Sequence, residues 1–483
     1  MNYGIVLRVL GILLVIESGL MAPSLLISYF QGGADFYPFL ISIAMTLLAG
    51  ILVSRSKPKD RSISAKDGLA IVALGWLAIS IFGALPLFLS KATPTYIDAF
   101  FETVSGFTTT GSSIIPNVEI LPKGILFWRS FTHWIGGMGI LVFTIALLPA
   151  LGIGGFQVYK AESPGPIAGK MAPRIKDTAK ILYLTYLGIT VLEVILLLLG
   201  KMTLFEAFVH TFGTVGTGGF GIKGSSIGDY SSYIQVVIGI FMVVSGVSFS
   251  LYYSVYRGKG KEIFKNEELR LYLGIILSAT ALIALNLYLT NYDTIMSSLR
   301  DSFFQVSSIM TTTGYATADF DLWPSFSKGL LVILMLIGGS AGSTAGGMKV
   351  IRILVMFKLI RREISKIFHP RAVLPIKNDG RMVPNEVVAG IYSFIALYLV
   401  IFCLGTLVIT LEGVGLVTAS TSVIATLSNI GLGPGLALVG PSQNFALYSG
   451  ATKLLLSFFM LLGRLELFTI IALLAPKTWK REI

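Results

Sequence analysis

An all-α integral membrane fold of about ten spans is what this sequence predicts, organised as four repeats of helix, re-entrant loop and helix behind two extra N-terminal helices. Three observations carry that expectation. The 483 residues are 54% hydrophobic and only 13% charged, with a mean hydropathy of +0.80. Long apolar runs recur from one end of the chain to the other, each near the length that crosses a bilayer. Between them, at intervals of roughly a hundred residues, a short helical pattern runs four times into a Thr- or Asn-bearing segment that ends in glycine.

In chain order, the apolar runs lie near 5–30, 38–54, 68–90, 126–150, 180–200, 233–256, 271–290, 326–362, 387–411 and 449–475. The first follows a single basic residue, Arg8, and contains Glu17; it is longer than a signal-peptide core and predicts a retained span. Ten spans leave both ends on one side. Basic residues choose that side: Arg55, Lys57, Lys59, Arg61 and Lys66 follow the second run, and Lys160, Lys170, Arg174 and Lys176 the fourth. Arg257 to Arg270 follow the sixth, Arg361 to Arg381 the eighth, and Lys477, Lys480 and Arg481 close the tail. Every even-numbered exit is basic, so these loops and both termini are predicted to be cytoplasmic. The net charge of +12 then belongs to a membrane protein's inner face and implies no nucleic acid. The opposite connections carry Asp98, Glu102, Glu119, Glu206, Asp229, Asp293, Asp301, Asp319, Asp321 and Glu412, an acid-leaning face that concentrates cations. The division that follows is 1–66 for the two extra helices and 67–160, 161–262, 263–370 and 371–483 for the repeats.

The four segments are Thr108-Thr109-Thr110-Gly111, Val215-Gly216-Thr217-Gly218, Thr311-Thr312-Thr313-Gly314 and Ser428-Asn429-Ile430-Gly431, all in outer connections. Thirteen or twelve residues before each glycine stand Asp98, Glu206, Asp301 and Thr418, residues suited to a helix start. Ten before it stand Phe101, Phe208, Phe304 and Thr421. About ten residues of helix rise ~15 Å, half the hydrocarbon core, so each helix must re-enter rather than cross. Non-helical backbone at that depth survives only when buried in protein or facing water. Glycine permits the left-handed backbone that aims successive carbonyls at one axis, and such carbonyls replace the hydration shell of a large monovalent cation. Four copies in one chain supply a whole ring around a central pore.

On these residues the chain resembles the Trk/Ktr/HKT superfamily of potassium transporters, most closely its TrkH-type pore subunits. The resemblance spans essentially the whole chain and includes Ser105 to Gly111, Thr311-Thr312-Thr313-Gly314-Tyr315 and Leu427 to Gly431. It also includes the inner motifs Ser163-Pro164-Gly165-Pro166 and Lys170 to Ile175. It implies that the residues before each glycine coordinate potassium: Thr109 and Thr110 with Gly111, Gly216 and Thr217 with Gly218, Thr312 and Thr313 with Gly314, Asn429 and Ile430 with Gly431. Some sodium-preferring relatives carry serine at the first glycine, so Gly111 favours potassium. The resemblance further implies a homodimer with one pore per protomer, a cytoplasmic TrkA-like ring of nucleotide-binding subunits, and the plasma membrane of a bacterium or archaeon. The bound ion is K+, and no organic cofactor is expected in this chain.

The eighth run holds Gly338-Gly339-Ser340-Ala341-Gly342-Ser343-Thr344-Ala345-Gly346-Gly347, a stretch no packed helix favours, since each glycine costs about 1 kcal/mol against alanine. A helix broken there should line the water path beneath the filter, and the resemblance implies a gate, with Gly342, Ser343, Thr344, Gly346 and Gly347 in it. Arg464, inside the last run, is expected to face protein or water and to approach this loop as an electrostatic barrier, with a purely structural pairing to Glu466 or to loop carbonyls the alternative; Lys453 lies on a similar face. Cys403 reads as inert packing, and His133, His210 and His369 have no metal-site spacing. Gly165 to Lys170 imitates a phosphate loop one residue short, with Met171 where a hydroxyl is needed. No catalytic constellation is visible, so the chain is not read as an enzyme. A transporter coupling K+ to Na+ or H+ remains the alternative to a channel.

Overall fold

The computed structural model of the protein describes residues 1–56, 63–139, 175–256, 258, 260–290, 292–372, 374–433 and 444–475. Among them the chain is helical apart from one small hairpin. Helices α1 (Tyr3–Leu20) and α2 (Ala22–Gln31) make the first span and α3 (Phe36–Ser54) the second. α1 and α3 touch backbone to backbone, because a Cβ on Gly11 would lie 2.7 Å from the Gly50 carbonyl oxygen.

Each repeat then has an inbound span, a short outer helix and a return helix. In the first these are α4 (Ala65–Gly83, prolonged by α5, Leu85–Leu89), α6 (Tyr96–Phe107) and α7 (Lys123–Gly137). In the second they are α8 (Ile175–Leu199), α9 (Leu204–Val215) and α10 (Ser232–Ser245), the last continued by α11 (Phe249–Tyr256). After a single turn, α12 (Gly260–Ile263), the third repeat has α13 (Glu267–Thr290), α14 (Ile295–Met310), α15 (Ser325–Ile337) and α16 (Val350–Phe368). The hairpin β1 (Lys377–Asn378) and β2 (Arg381–Met382) precedes the fourth, which has α17 (Asn385–Thr410), α18 (Leu416–Leu427), α19 (Gly450–Arg464) and α20 (Leu467–Leu474).

The third return helix breaks at the glycine stretch as expected, whereas the other three are interrupted where the sequence suggests continuous spans. The four stop after 15, 14, 13 and 15 residues. The sixth run bends by 89° between α10 and α11, and the tenth breaks at Glu466, whose φ is 61°. Among the described residues six helices, or seven with the bent pair, are long and apolar enough to cross a membrane; the expected runs beyond the six are the four interrupted return helices. The fourth run's residues from 140, and the inner motifs from Ser163 to Arg174, lie outside the described residues, as do the glycine stretch from Gly165 and the tail's Lys477, Lys480 and Arg481.

The outer helices start where hydroxyls cap them. Thr95, Thr203 and Thr294 accept backbone N–H bonds three residues on, and Glu206 completes a capping box with Thr203. Asp98, Glu206 and Thr418 fall in first turns, whereas Asp301 lies in the second turn of the 16-residue α14. There it accepts from the Tyr292 hydroxyl (3.0 Å) and pairs with Arg300. Glu17 is buried beside Gly83, Thr103 and Phe107, which seats the first span against the first outer helix. Cys403 is exposed on the outside of the bundle, not packed within it.

Candidate functional site

The four outer helices end in one repeated backbone form. Thr108, Gly216, Thr311 and Ser428 are their C-caps. The next residues, Thr109, Thr217, Thr312 and Asn429, are left-handed, with φ of 54°, 55°, 56° and 55°. The residues after those donate their N–H back into the helix: Thr110 to Ser105, Gly218 to Gly213, Thr313 to Ser308 and Ile430 to Ala425, each at 2.8–2.9 Å. Last come glycines with φ of 84°, 78°, 87° and 86°, namely Gly111, Gly219, Gly314 and Gly431.

This corrects the register of the second segment by one residue. Gly216, expected in the ring, is a helix cap with right-handed φ, and Gly218 takes the place of Thr110, leaving Gly219 as the turning glycine. The physical reason is that the helix-terminating bond pattern, not the first Thr-Gly pair, sets where the chain turns. The signal was present: Glu206 stands twelve residues before Gly218 but thirteen before Gly219, the spacing of the other repeats.

The segments converge and close on one another. A Cβ on Gly111 would lie 1.9 Å from the Gly218 oxygen; on Gly219, 2.1 Å from the Thr313 oxygen; on Gly314, 2.3 Å from the Ile430 oxygen; on Gly431, 2.3 Å from the Thr110 oxygen. Each repeat's glycine thus abuts the carbonyl of the next, in the order one, two, three, four and back to one. No residue with a Cβ fits at any of the four, and the oxygens of Thr110, Gly218, Thr313 and Ile430 occupy equivalent places in a closed circle.

Side chains lock the circle from behind. Thr108 and Thr110 share a hydroxyl contact at 2.7 Å and Thr311 and Thr313 one at 2.8 Å; the other two segments have no such pair. Asn429 Nδ2 donates to the Thr110 hydroxyl and to the Met460 carbonyl, both at 2.9 Å, tying segment four to segment one. His133 bridges as well: Nδ1 donates to the Gly106 oxygen at 2.8 Å and Nε2 accepts from the Phe220 N–H at 3.3 Å, which fixes a neutral ring. Gly218 is glycine partly for this reason, since its Cβ would meet the His133 ring at 2.2 Å. Two buried ion pairs brace the outer side. Arg129 meets Glu102 at 2.6 Å, and Glu102 also accepts from the Ile114 N–H; Lys453 meets Asp98 at 2.6 Å. Neither pair, nor the role of His133, is signalled by spacing in the sequence.

Beneath the circle lies the break between α15 and α16. Gly338, Gly342 and Gly347 have φ of 75°, and Lys349, with φ 76°, begins the next helix. Gly346 N–H donates to the Thr312 hydroxyl (2.6 Å) and Gly347 N–H to the Ser428 carbonyl (2.9 Å), so this loop touches segments three and four. On its other side Ser340 N–H donates to the Gly246 carbonyl and the Thr344 hydroxyl to that of Ser245, where α10 breaks. Ser343 folds back on the Ser340 carbonyl. Arg464, the last residue of α19, donates to the Thr344 carbonyl (3.0 Å), the Gly137 carbonyl (3.1 Å), the Gly136 carbonyl and the Thr109 hydroxyl (3.3 Å). Glu466 pairs with Arg352. Loop and guanidinium together therefore reach segments one, three and four from the inner side.

Comparison with known proteins agrees on one relationship. A family model described as TrkH, cation transport protein, matches residues 38–481. The chain is 38% identical over 489 residues to the Trk system potassium uptake protein TrkH of Salmonella typhimurium, covering 99% of this chain and 100% of the relative. It is 37% identical to that of Halomonas elongata over 488 residues (100% of each), and 33% identical to the Trk system potassium uptake protein TrkG of Escherichia coli over 481 residues (99% and 98%). Its fold matches the crystal structure of the potassium transporter TrkH from Vibrio parahaemolyticus with a TM-score of 0.89 and 34% identity, over 99% of this chain and 100% of that one.

Proposed function

The chain belongs to the TrkH family of cation transport proteins, a multi-pass membrane protein and not an enzyme, and on that premise we propose that it takes up potassium through a filter made by its own four outer segments. The observation that carries this reading is the closed circle of glycines against carbonyls. Carbonyl oxygens of Thr109, Thr110 and Gly111, of Thr217, Gly218 and Gly219, of Thr312, Thr313 and Gly314, and of Asn429, Ile430 and Gly431 replace water around the ion. Potassium is the cargo and is held at these residues only. With a negative interior, the membrane potential drives it inward at ~2.3 kcal/mol per charge per 100 mV.

The loop at Gly342, Ser343, Thr344, Gly346 and Gly347, with Arg464, forms the gate. A guanidinium hydrogen-bonded beneath the ring both blocks the path and repels a cation by like charge. The reading is a channel, with a transporter coupling K+ to Na+ or H+ as its rival. The family resemblance, together with the basic inner exits, supports a plasma-membrane homodimer with both termini cytoplasmic, whose inner face takes a TrkA-like nucleotide-binding ring. The test is rubidium flux into vesicles holding the purified chain. Flux should exceed that of empty vesicles, favour rubidium over sodium, and rise several-fold in Arg464→Ala; no flux sinks the transport reading, and unchanged flux in Arg464→Ala sinks the gate.

A further inference from the structure

A carboxylate that the filter does not use holds both limbs of the loop beneath it. Glu268 lies in the first turn of α13 and is only 9% exposed. Its Oε1 accepts the Ala341 N–H at 2.7 Å and the Ile351 N–H at 3.2 Å. Ala341 belongs to the descending limb of the loop and Ile351 to the first turn of α16, so one oxygen fastens two backbone donors ten residues apart. The Ile351 N–H is one of the orphan donors of a helix start; the limbs are joined near their base by the Met348, Lys349 and Val350 N–H groups donating to the Leu336, Ile337 and Gly339 carbonyls, and Glu268 adds the tie at Ala341, beyond the reach of those bonds.

The same end of α13 is tethered outside the membrane. Asp379 accepts from the Asn266 amide and from the Glu267 N–H, both at 2.8 Å. Asp379 and Gly380 form the two-residue turn of the hairpin, with φ of 49° and 77°, the geometry such turns require. Glu267 pairs with Lys358 of α16, and Lys358 also donates to the Lys377 carbonyl at 2.6 Å. Hairpin, α13 and α16 are therefore joined at residues immediately adjoining Glu268.

We propose that Glu268 is a positioning residue of the gate, a clasp that holds the loop across the path and links it through the start of α13 to the cytoplasmic hairpin at Asp379. This rests on the reading of the loop as a gate. Displacing the hairpin shifts the Glu267 N–H and with it the carboxylate one residue on, which loosens Ala341 and Ile351 together. The clasp adds a mechanical route from the inner face to the loop, separate from the electrostatic barrier of Arg464.

Rubidium flux through the reconstituted full chain tests it, with Arg464→Ala measured alongside. Glu268→Ala is expected to raise flux roughly tenfold, the change that losing one charge-assisted hydrogen bond gives. Glu268→Gln keeps an acceptor oxygen in place and should return flux most of the way, whereas loss of a merely structural residue would lower flux and would not be rescued in this way. Asp379→Ala, outside the membrane, should raise flux several-fold and add little to Glu268→Ala. If Arg464→Ala raises flux but Glu268→Ala does not, the clasp is wrong and the gate stands; if neither does, the gate reading itself has failed and the clasp with it. Should Glu268→Ala not fold, Asp379→Ala decides alone: raised flux supports the clasp and unchanged flux overturns it.

Discussion

Gly219→Ala is the perturbation that most directly probes the ring and its register. The added methyl would lie 2.1 Å from the Thr313 oxygen and 3.0 Å from the Gly314 carbonyl carbon. Close carbon–oxygen contacts begin at about 3.3 Å, so the Thr313 carbonyl or the second segment must retreat by roughly 1.2 Å. Alanine also dislikes the φ of 78° found there, at ~1–2 kcal/mol. If the ring relieves this by moving a carbonyl off the axis, one or two kcal/mol of ion stabilisation disappears, about 5- to 30-fold in occupancy. The assay is rubidium uptake into vesicles in competition with sodium. Gly224→Ala is the control in the same outer connection, because its methyl would meet nothing closer than the Glu119 carboxylate at 3.8 Å. The expected result is uptake and rubidium preference both falling five-fold or more in Gly219→Ala and holding in the control. A folded Gly219→Ala protein with unaltered preference would mean that the second segment is not in the ring at this register.

Two further outcomes concern what braces the site. Arg129→Met leaves Glu102 buried without its cation, and breaking such a pair from one side costs about 3–5 kcal/mol, so thermal unfolding in detergent should move to distinctly lower temperature; Glu102→Gln with Arg129→Met should recover much of it, and if the single variant melts like the parent the pair is not structural. Glu206 is a case for pH. Although burial pushes its carboxyl up, bonds from the Thr203 N–H and hydroxyl and from the Tyr230 hydroxyl outweigh this and hold it below 4.5. A folded value below the unfolded one stabilises fully above the ordinary carboxylate range and is lost as pH falls through the folded value. Glu206→Gln should therefore lower the melting temperature at neutral pH and converge with the parent as pH falls, which flattens the acid side of the profile; a neutral-pH melting temperature equal to the parent's would refute the assignment.

Local chemistry explains which parts were legible in the sequence. Composition and the apolar runs were enough for the membrane class, and five glycines in ten residues after Ile337 were enough for a broken helix, because both depend on residues acting where they stand. The other breaks were not legible. Nothing in Ser245-Gly246-Val247-Ser248 forbids a helix; it ends because the Gly246 carbonyl is taken by Ser340 and the Phe249 N–H by Gly342, partners almost a hundred residues away. The same holds for Glu466, turned out of its helix to meet Arg352. The second segment is easily misread by one residue because Thr217-Gly218 matches the Thr-Gly pattern while the turning glycine is the next one, Gly219, marked by its φ of 78° and by its thirteen-residue distance from Glu206.

If the loop is the gate proposed above, the interrupted return helices supply its electrostatics. α7, α10, α15 and α19 all stop within 13 to 15 residues, and a helix that stops leaves carbonyls without internal partners and a partial negative charge at its end. Carbonyls of Gly136 and Gly137 end the first return helix, that of Gly246 ends the second, and that of Thr344 lies in the break of the third. On the proposed reading, a cation leaving the ring inward would be drawn to those of Gly136, Gly137 and Thr344, the Gly246 oxygen being held by the Ser340 N–H. In this conformation Arg464 holds all three, and the permeating ion must compete with a covalently tethered cation for the same acceptors. On the proposed reading, opening by movement of the loop does two things at once. It withdraws the guanidinium from the path and returns the carbonyls to the ion, so the contacts that close the path become, once released, the ones that favour passage. An arginine suits this better than a lysine, because its planar fork can reach the first return helix and the loop together while its own helix ends.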